Sequence, residues 1–118
     1  MSISVFTQGG LQQPEPVRLA DTLLTDVFTA KDNSPTIGSW SLANETASPV
    51  QVNCYYSDGT TDFLEWSGSI PANESVNVTG QPLRLREGDK FKVQATTGNA
   101  ITVSPKVTRV MPNAPART

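Results

Sequence analysis

From about Leu23 onward, apolar and polar residues alternate in short runs separated by Gly, Pro, Asn and Asp, the period of strands with one face buried. The breaks recur at intervals of roughly eight to twelve residues, which predicts an antiparallel sandwich or barrel. In the clearest run, Val50, Val52, Cys54 and Tyr56 point one way while Gln51, Asn53 and Tyr55 point the other. Ser57-Asp58-Gly59-Thr60 then reverses the chain through Asp-Gly. The return strand is expected to put Leu64, Trp66, Gly68 and Ile70 on the core face, and Pro71-Ala72-Asn73-Glu74 forms the next turn, with proline fixing φ at its entry. Val76 and Val78 continue inward until Gly80-Gln81-Pro82 breaks the strand.

The densest charge lies between Leu83 and Ala95. Leu83, Leu85, Phe91, Val93 and Ala95 alternate there with Arg84, Arg86, Lys90, Lys92 and Gln94, which reads as a hairpin closed by Glu87-Gly88-Asp89 with all four cations on one outer face. Thr97-Gly98-Asn99 turns into Ile101 and Val103, and Pro105 then interrupts the alternation, predicting a bulge or an edge strand. Earlier in the chain, Leu23, Leu24, Val27 and Phe28 form a strand, Lys31 to Pro35 a loop, and Gly38, Trp40 and Leu42 an inward row running into Asn44-Glu45-Thr46. A helix over Leu19 to Thr29 is outweighed by the β-branched Thr22, Thr25, Val27 and Thr29. The expected fold is all-β: a single antiparallel β-sandwich, jelly-roll or Ig-like, of about eight short strands over residues 19–110.

Residues 1–18 and 111–118 stand outside the alternation. The first, with Gly9-Gly10, Gln12-Gln13 and Pro14-Glu15-Pro16, reads as an extended arm, and the second, with Pro112 and Pro115, as a flexible tail. Val5, Phe6 and Leu11 give the arm apolar side chains to deposit on a neighbour, which marks them as partner-contact candidates.

A chain of 118 residues is long enough for one core that holds without staples. A net charge of -2 with 17% charged residues supplies no field to draw nucleic acid or an anionic membrane, so neither is expected as a partner. No run reaches a membrane span, and the opening MSISVFTQGG lacks the basic and apolar regions of an export signal, so folding in a cytosol is expected. The absence of histidine removes the commonest general base and zinc ligand.

Candidate chemistry is correspondingly thin. Asp58-Gly59-Thr60-Thr61-Asp62 has some calcium-loop oxygens but lacks the full ligand series, and is read as a turn. Three Asn-X-Ser/Thr matches, at Asn44, Asn73 and Asn77, are read as turn and strand-surface positions. Glu87 and Asp89, placed in an exposed turn among cations, are set aside as an acid and base pair. Trp40 and Trp66 share their register with aliphatic residues and are assigned to the core, which leaves Tyr55 as the ring available to stack on a sugar. The lone Cys54 is read as a buried, inert thiol. No catalytic residue, cofactor or metal is expected.

From Thr22 to Val110 the order of motifs is similar to that of small β-sandwich virion proteins of tailed bacteriophages. The shared marks are an Asn closing the first core strand (Asn44), the turn Pro71 to Ser75 before a short valine strand, and a Leu-X-X-Gly-Asp stretch from Leu85 to Val93. The resemblance implies a non-enzymatic virion structural protein. Its fullest form is a capsid decoration or cement protein bound to the major capsid protein lattice, with a neck, tail or fibre-attachment subunit as the alternative. It implies other virion proteins as partners, an oligomer of identical chains with a trimer as one option, and the capsid surface or neck and tail as location. A carbohydrate-binding module is a further alternative. The contact residues expected beside the arm are Tyr55, Arg84, Arg86, Lys90 and Lys92.

Overall fold

A computed structural model of the chain describes residues 11–12, 15–33, 35–80 and 82–109. Ten strands follow in order: β1 (Leu11–Gln12), β2 (Val17–Arg18), β3 (Thr25–Thr29), β4 (Pro35–Asn44), β5 (Val50–Ser57), β6 (Asp62–Ile70), β7 (Ser75–Val78), β8 (Leu83–Arg84), β9 (Lys90–Ala95) and β10 (Ile101–Arg109). No helix occurs among the described residues. One sheet runs β1-β10-β4-β7, with β2 also on β10 and β8 also on β4, and the other runs β3-β9-β5-β6. Every pairing is antiparallel. Apart from the β5–β6 hairpin and the margin pairs β1–β2 and β7–β8, each link crosses between sheets, the winding of a jelly roll. The all-β sandwich expected from the alternation is therefore what forms, and of the two expected variants it is the jelly roll.

Between the sheets lie Leu19, Ile37, Trp40, Leu42, Val52, Phe91, Val93 and Val103, all with no exposed surface. The Trp40 ring from β4 meets Phe91 from β9 at 4.8 Å between centroids, tilted by 54°. Such a pair contributes about 0.5–1.5 kcal/mol beyond its area burial and joins the two sheets at their centre.

Asn44 ties one end of the sandwich together. Buried at the end of β4, it donates through Nδ2 to the carbonyls of Ser48 (2.8 Å), Ile70 (3.0 Å) and Pro71 (3.2 Å). Its Oδ1 accepts from the Thr46 N–H (2.9 Å) and hydroxyl (2.7 Å). One amide side chain thus fixes the end of a strand in one sheet to the approach to β5 and the exit of β6 in the other. The turn Pro71 to Glu74 forms as predicted, with Asn73 taking φ 56°.

The structure corrects the reading of Leu83 to Ala95. Leu83 and Arg84 pair with Ile37 and Thr36 of β4, whereas Lys90 to Ala95 pair with β3 and β5, so the two segments belong to different sheets and form no hairpin. Alternation around a polar turn looks the same whether the chain returns in its own sheet or crosses to the facing one. The crossing is fixed by contacts distant in sequence: Leu85 N–H to Pro35 carbonyl (3.0 Å), Gly88 N–H to Ala30 carbonyl (2.9 Å), Ala30 N–H to Asp89 carbonyl (2.9 Å) and Glu87 N–H to Asn33 Oδ1 (2.8 Å). Gly88 has φ 92°, a conformation in which a side chain would be strained.

Bulges account for two further departures. Ser39 pairs with Lys106 and Ile37 with Val107, which leaves Gly38 as the extra, exposed residue, and the inward row is Ile37, Trp40 and Leu42. Cys54 pairs with Trp66 but Tyr55 with Leu64, which makes Glu65 the extra residue and sends Leu64 to the outer face, 58% exposed. Pro105 does sit next to a bulge, but β10 is no edge: it pairs with β4 along one side and with β1 and β2 along the other. The ladders to β2 and β1 cover Thr102 to Val103 and Val107 to Thr108, so the proline stands in the interval where an N–H donor on that side is not called for.

Candidate interaction surface

The candidate contact residues do not come together as one patch. Val5 and Phe6 lie outside the described residues. Leu11 belongs to β1, opposite Thr108 of β10. Arg84 is on the first sheet, Lys90 and Lys92 are on the second, and Arg86 projects from the link between them with its side chain 75% exposed. The single basic face expected from the hairpin reading is therefore absent, because its two arms lie on opposite sides of the sandwich.

On the outer face of the second sheet, neighbouring strands pair Lys92 with Asp26, Tyr55 with Lys92, and Tyr55 with Leu64, a row running from β3 to β6. The lysines are matched by acids. Lys90 Nζ lies 3.0 Å from Asp26, and Lys92 Nζ lies 3.2 Å from Asp62 and 4.0 Å from Asp26. The Ser57 hydroxyl, and secondarily Lys92, hold the Asp62 carboxyl below its ordinary value. Pairs this exposed add little to stability, but they cancel the field a bare cation cluster would have. Beside Tyr55, Gln51 Nε2 donates to the Ser67 hydroxyl (2.8 Å), which donates to Asn53 Oδ1 (2.7 Å).

At the rim, the sequence pattern places Asp89 in solvent, and the structure buries it. Its Oδ2 accepts from the Tyr56 hydroxyl (2.8 Å) and from the Arg86 backbone N–H (2.9 Å), with Arg86 Nε at 3.8 Å. The carboxylate caps the crossing turn from inside, which is why an acid two residues from Glu87 is enclosed while Glu87 is not. The hydrogen bond to Asp89 pushes the Tyr56 hydroxyl above the ordinary tyrosine value. Phe63 stacks on Tyr56 at 6.0 Å between centroids and is 46% exposed. Phe63 and Leu64 make an exposed apolar step that alternation had assigned partly to the core, and the bulge at Glu65 was the signal that could not be read.

The other chemical candidates resolve simply. Burial pushes the Cys54 thiol up to about 12; the Trp40 indole N–H opposes this only weakly, having no partner at hydrogen-bonding distance. Trp66 packs against the core, and Asp58 closes its turn by accepting from the Thr60 and Thr61 N–H groups (2.9 and 2.8 Å), which lowers its carboxyl. Among the described residues no group of three or more acids or cysteines is placed to hold a metal ion, and no helix is long and apolar enough to cross a membrane.

No protein-family model and no curated protein sequence matches this chain. Among solved structures, a protein of the disulfide-linked pili of Bacillus endospore appendages superimposes with TM-score 0.54 at 16% identity, over 86% of this chain and 88% of its own. The fold is shared. A pentameric capsid protein from metagenomic phage sequences aligns over 84% of this chain and 67% of its own at 14% identity, with a TM-score of 0.40 that is too low to carry an argument. A fold alone assigns no activity, because function resides in the surface groups placed on it.

Proposed function

We propose that this chain is a non-enzymatic structural subunit of a bacteriophage virion, a capsid decoration protein that binds the major capsid protein lattice. The observation that carries the reading is the kind of surface the fold presents. Asp26, Asp58, Asp62 and Asp89 are engaged in turns or ion pairs, Cys54 is buried, and of the large apolar residues exposed among the described ones, Phe63 and Leu64 sit together on an edge strand while Leu23 stands apart. Such a surface suits protein contact rather than bond-making chemistry. The motif order from Thr22 to Val110 supports a virion setting, and the shared fold with an appendage protein fits a subunit that works by assembling. Cys54 sets this chain apart from disulfide-linked pili, since a lone, fully buried thiol cannot link subunits.

The deciding measurement is quantitative mass spectrometry of purified particles. Hundreds of copies per virion are expected for a lattice-bound decoration protein, whereas about a dozen or fewer would assign the chain to the neck or tail. Absence from particles sinks the reading. A glycan-binding role has one observation in its favour, Tyr55 beside the Gln51, Ser67 and Asn53 hydrogen-bond chain. A glycan array without signal removes it.

A further inference from the structure

The two sheets protect their margins unequally. In the first sheet the margin strands are two to four residues long and are interrupted by prolines or glycine, at Pro14 to Pro16 between β1 and β2 and at Gly80 to Pro82 between β7 and β8. In the second sheet, β3 has only five residues with a bulge at Val27, its own exposed side chains, Asp26 and Thr29, are polar, and the exposed Leu23 stands singly before it. The other margin is β6, nine residues long, paired only with β5 among the described residues, and carrying the exposed Phe63 and Leu64. A long open edge with apolar side chains can accept a further strand through its backbone N–H and C=O groups.

The chain holds a candidate strand. Residues 2 to 7, Ser-Ile-Ser-Val-Phe-Thr, alternate around Ile3 and Val5, carry no charge, and stand directly before Gln8-Gly9-Gly10 and β1. Position decides whose edge they meet. Short links join β2 to β3 and β6 to β7, so the β1 margin of the first sheet lies over β3 and the β7 margin over β6. The start of β1 therefore lies at the corner opposite β6. If residues 2–7 form a strand, only Gln8 to Gly10 remain as a link, and the four steps from Thr7 to Leu11 reach at most about 14 Å. Rounding the sandwich to the same molecule's β6 requires roughly 25 Å, from three strand spacings and one sheet gap. The segment is too short to reach its own β6 and is placed to reach a neighbour's.

We infer that residues 2–7 of one copy add as a strand to the open edge of β6 of a second copy, so that Val5 and Phe6 cover Phe63 and Leu64. The link is head-to-tail, with donor and acceptor on opposite margins, and it generates a ring or a row of subunits. This deepens the assembly reading above by naming the partner as a second copy of the chain.

The test uses the intact chain in solution. Two full-length variants, Val5→Cys and Leu64→Cys, are mixed and treated with a short bismaleimide, Cys54 being silent because it is buried. A cross-linked pair of chains is expected from the mixture, and its yield should fall at least tenfold when Ser4→Pro is added to the Val5→Cys chain. Light scattering should show oligomers for the natural chain and folded monomers after removal of residues 1–8, with hydrogen exchange along β6 faster in the truncated form. A monomeric natural chain, no cross-link in the mixture, or protection that moves to β3 of the same molecule overturns the inference. Particles coated by a chain that never cross-links would sink this inference alone, and cross-linked oligomers missing from virions would sink the virion reading alone.

Discussion

Replacing Asn44 by alanine removes five side-chain hydrogen bonds, three of which tie the end of β4 to the approach to β5 and the exit of β6 in the facing sheet. The contact with the Ile70 carbonyl is buried, and losing its donor leaves an acceptor enclosed without a partner, at about 1–3 kcal/mol. The remaining partners are partly exposed and regain water, so each contributes nearer the net value of about 0.5–1 kcal/mol or less. A loss of about 3 kcal/mol is expected, a large share of the roughly 5–15 kcal/mol by which domains are stable. Urea unfolding followed by the fluorescence of Trp40 and Trp66 measures it: the midpoint should fall by about 1–2 M with an unchanged slope. Asn44→Asp sharpens the test, because it keeps the size but turns the three-carbonyl donor into an acceptor. Repulsion from those carbonyls raises the folded-state pKa of the introduced carboxyl above its unfolded value. Stability of this variant should therefore be greatest at acid pH, where the carboxyl is protonated and can donate, and should fall as pH rises through the raised pKa. A midpoint shift worth less than about 1 kcal/mol for Asn44→Ala would refute the claim that this corner depends on one amide.

Three other outcomes are expected on the same physical grounds. Alanine at Gly68 would place Cβ 2.7 Å from Trp66 Cη2 and 2.9 Å from Cζ2, so the indole must swing outward; a red-shifted emission and a loss of about 1–3 kcal/mol are expected. Absorbance titration of the phenols should show one ionisation above the ordinary tyrosine range that disappears in Tyr56→Phe, and since that folded-state pKa is raised, the stability it carries should be lost only as alkaline pH passes through it. Cys54 should resist a disulfide reagent in the native protein and react fully in urea, and rapid native labelling would contradict its burial.

Much of the fold was legible because strand burial has a period of two. Val50, Val52 and Cys54, the Pro71 to Glu74 turn and the inward Phe91, Val93 and Ala95 lie where alternation puts them. The losses have a common cause: alternation carries no information about pairing. It could not tell that the turn after Leu85 changes sheets, and so it gathered Arg84, Arg86, Lys90 and Lys92 into one face. It had no means of seeing single-residue insertions at Gly38 and Glu65, which depend on the partner strand and swap the inward and outward positions on either side of them. The burial of Asp89 was equally hidden, because its enclosing groups, Tyr56 and the backbone of Arg86, converge only in the folded chain.

The position of β10 has a consequence for synthesis. The last strand among the described residues occupies the interior of its sheet, with β4 on one side and β1 and β2 on the other. Until Ile101–Arg109 has emerged from the ribosome, β4 lacks its principal neighbour and the two amino-terminal strands have nothing to join. The first sheet therefore cannot close around a partial chain, and folding is deferred to a late, concerted step made slow by pairings that span most of the sequence. During translation β4 therefore stands as an open edge until Ile101–Arg109 arrives to cover it.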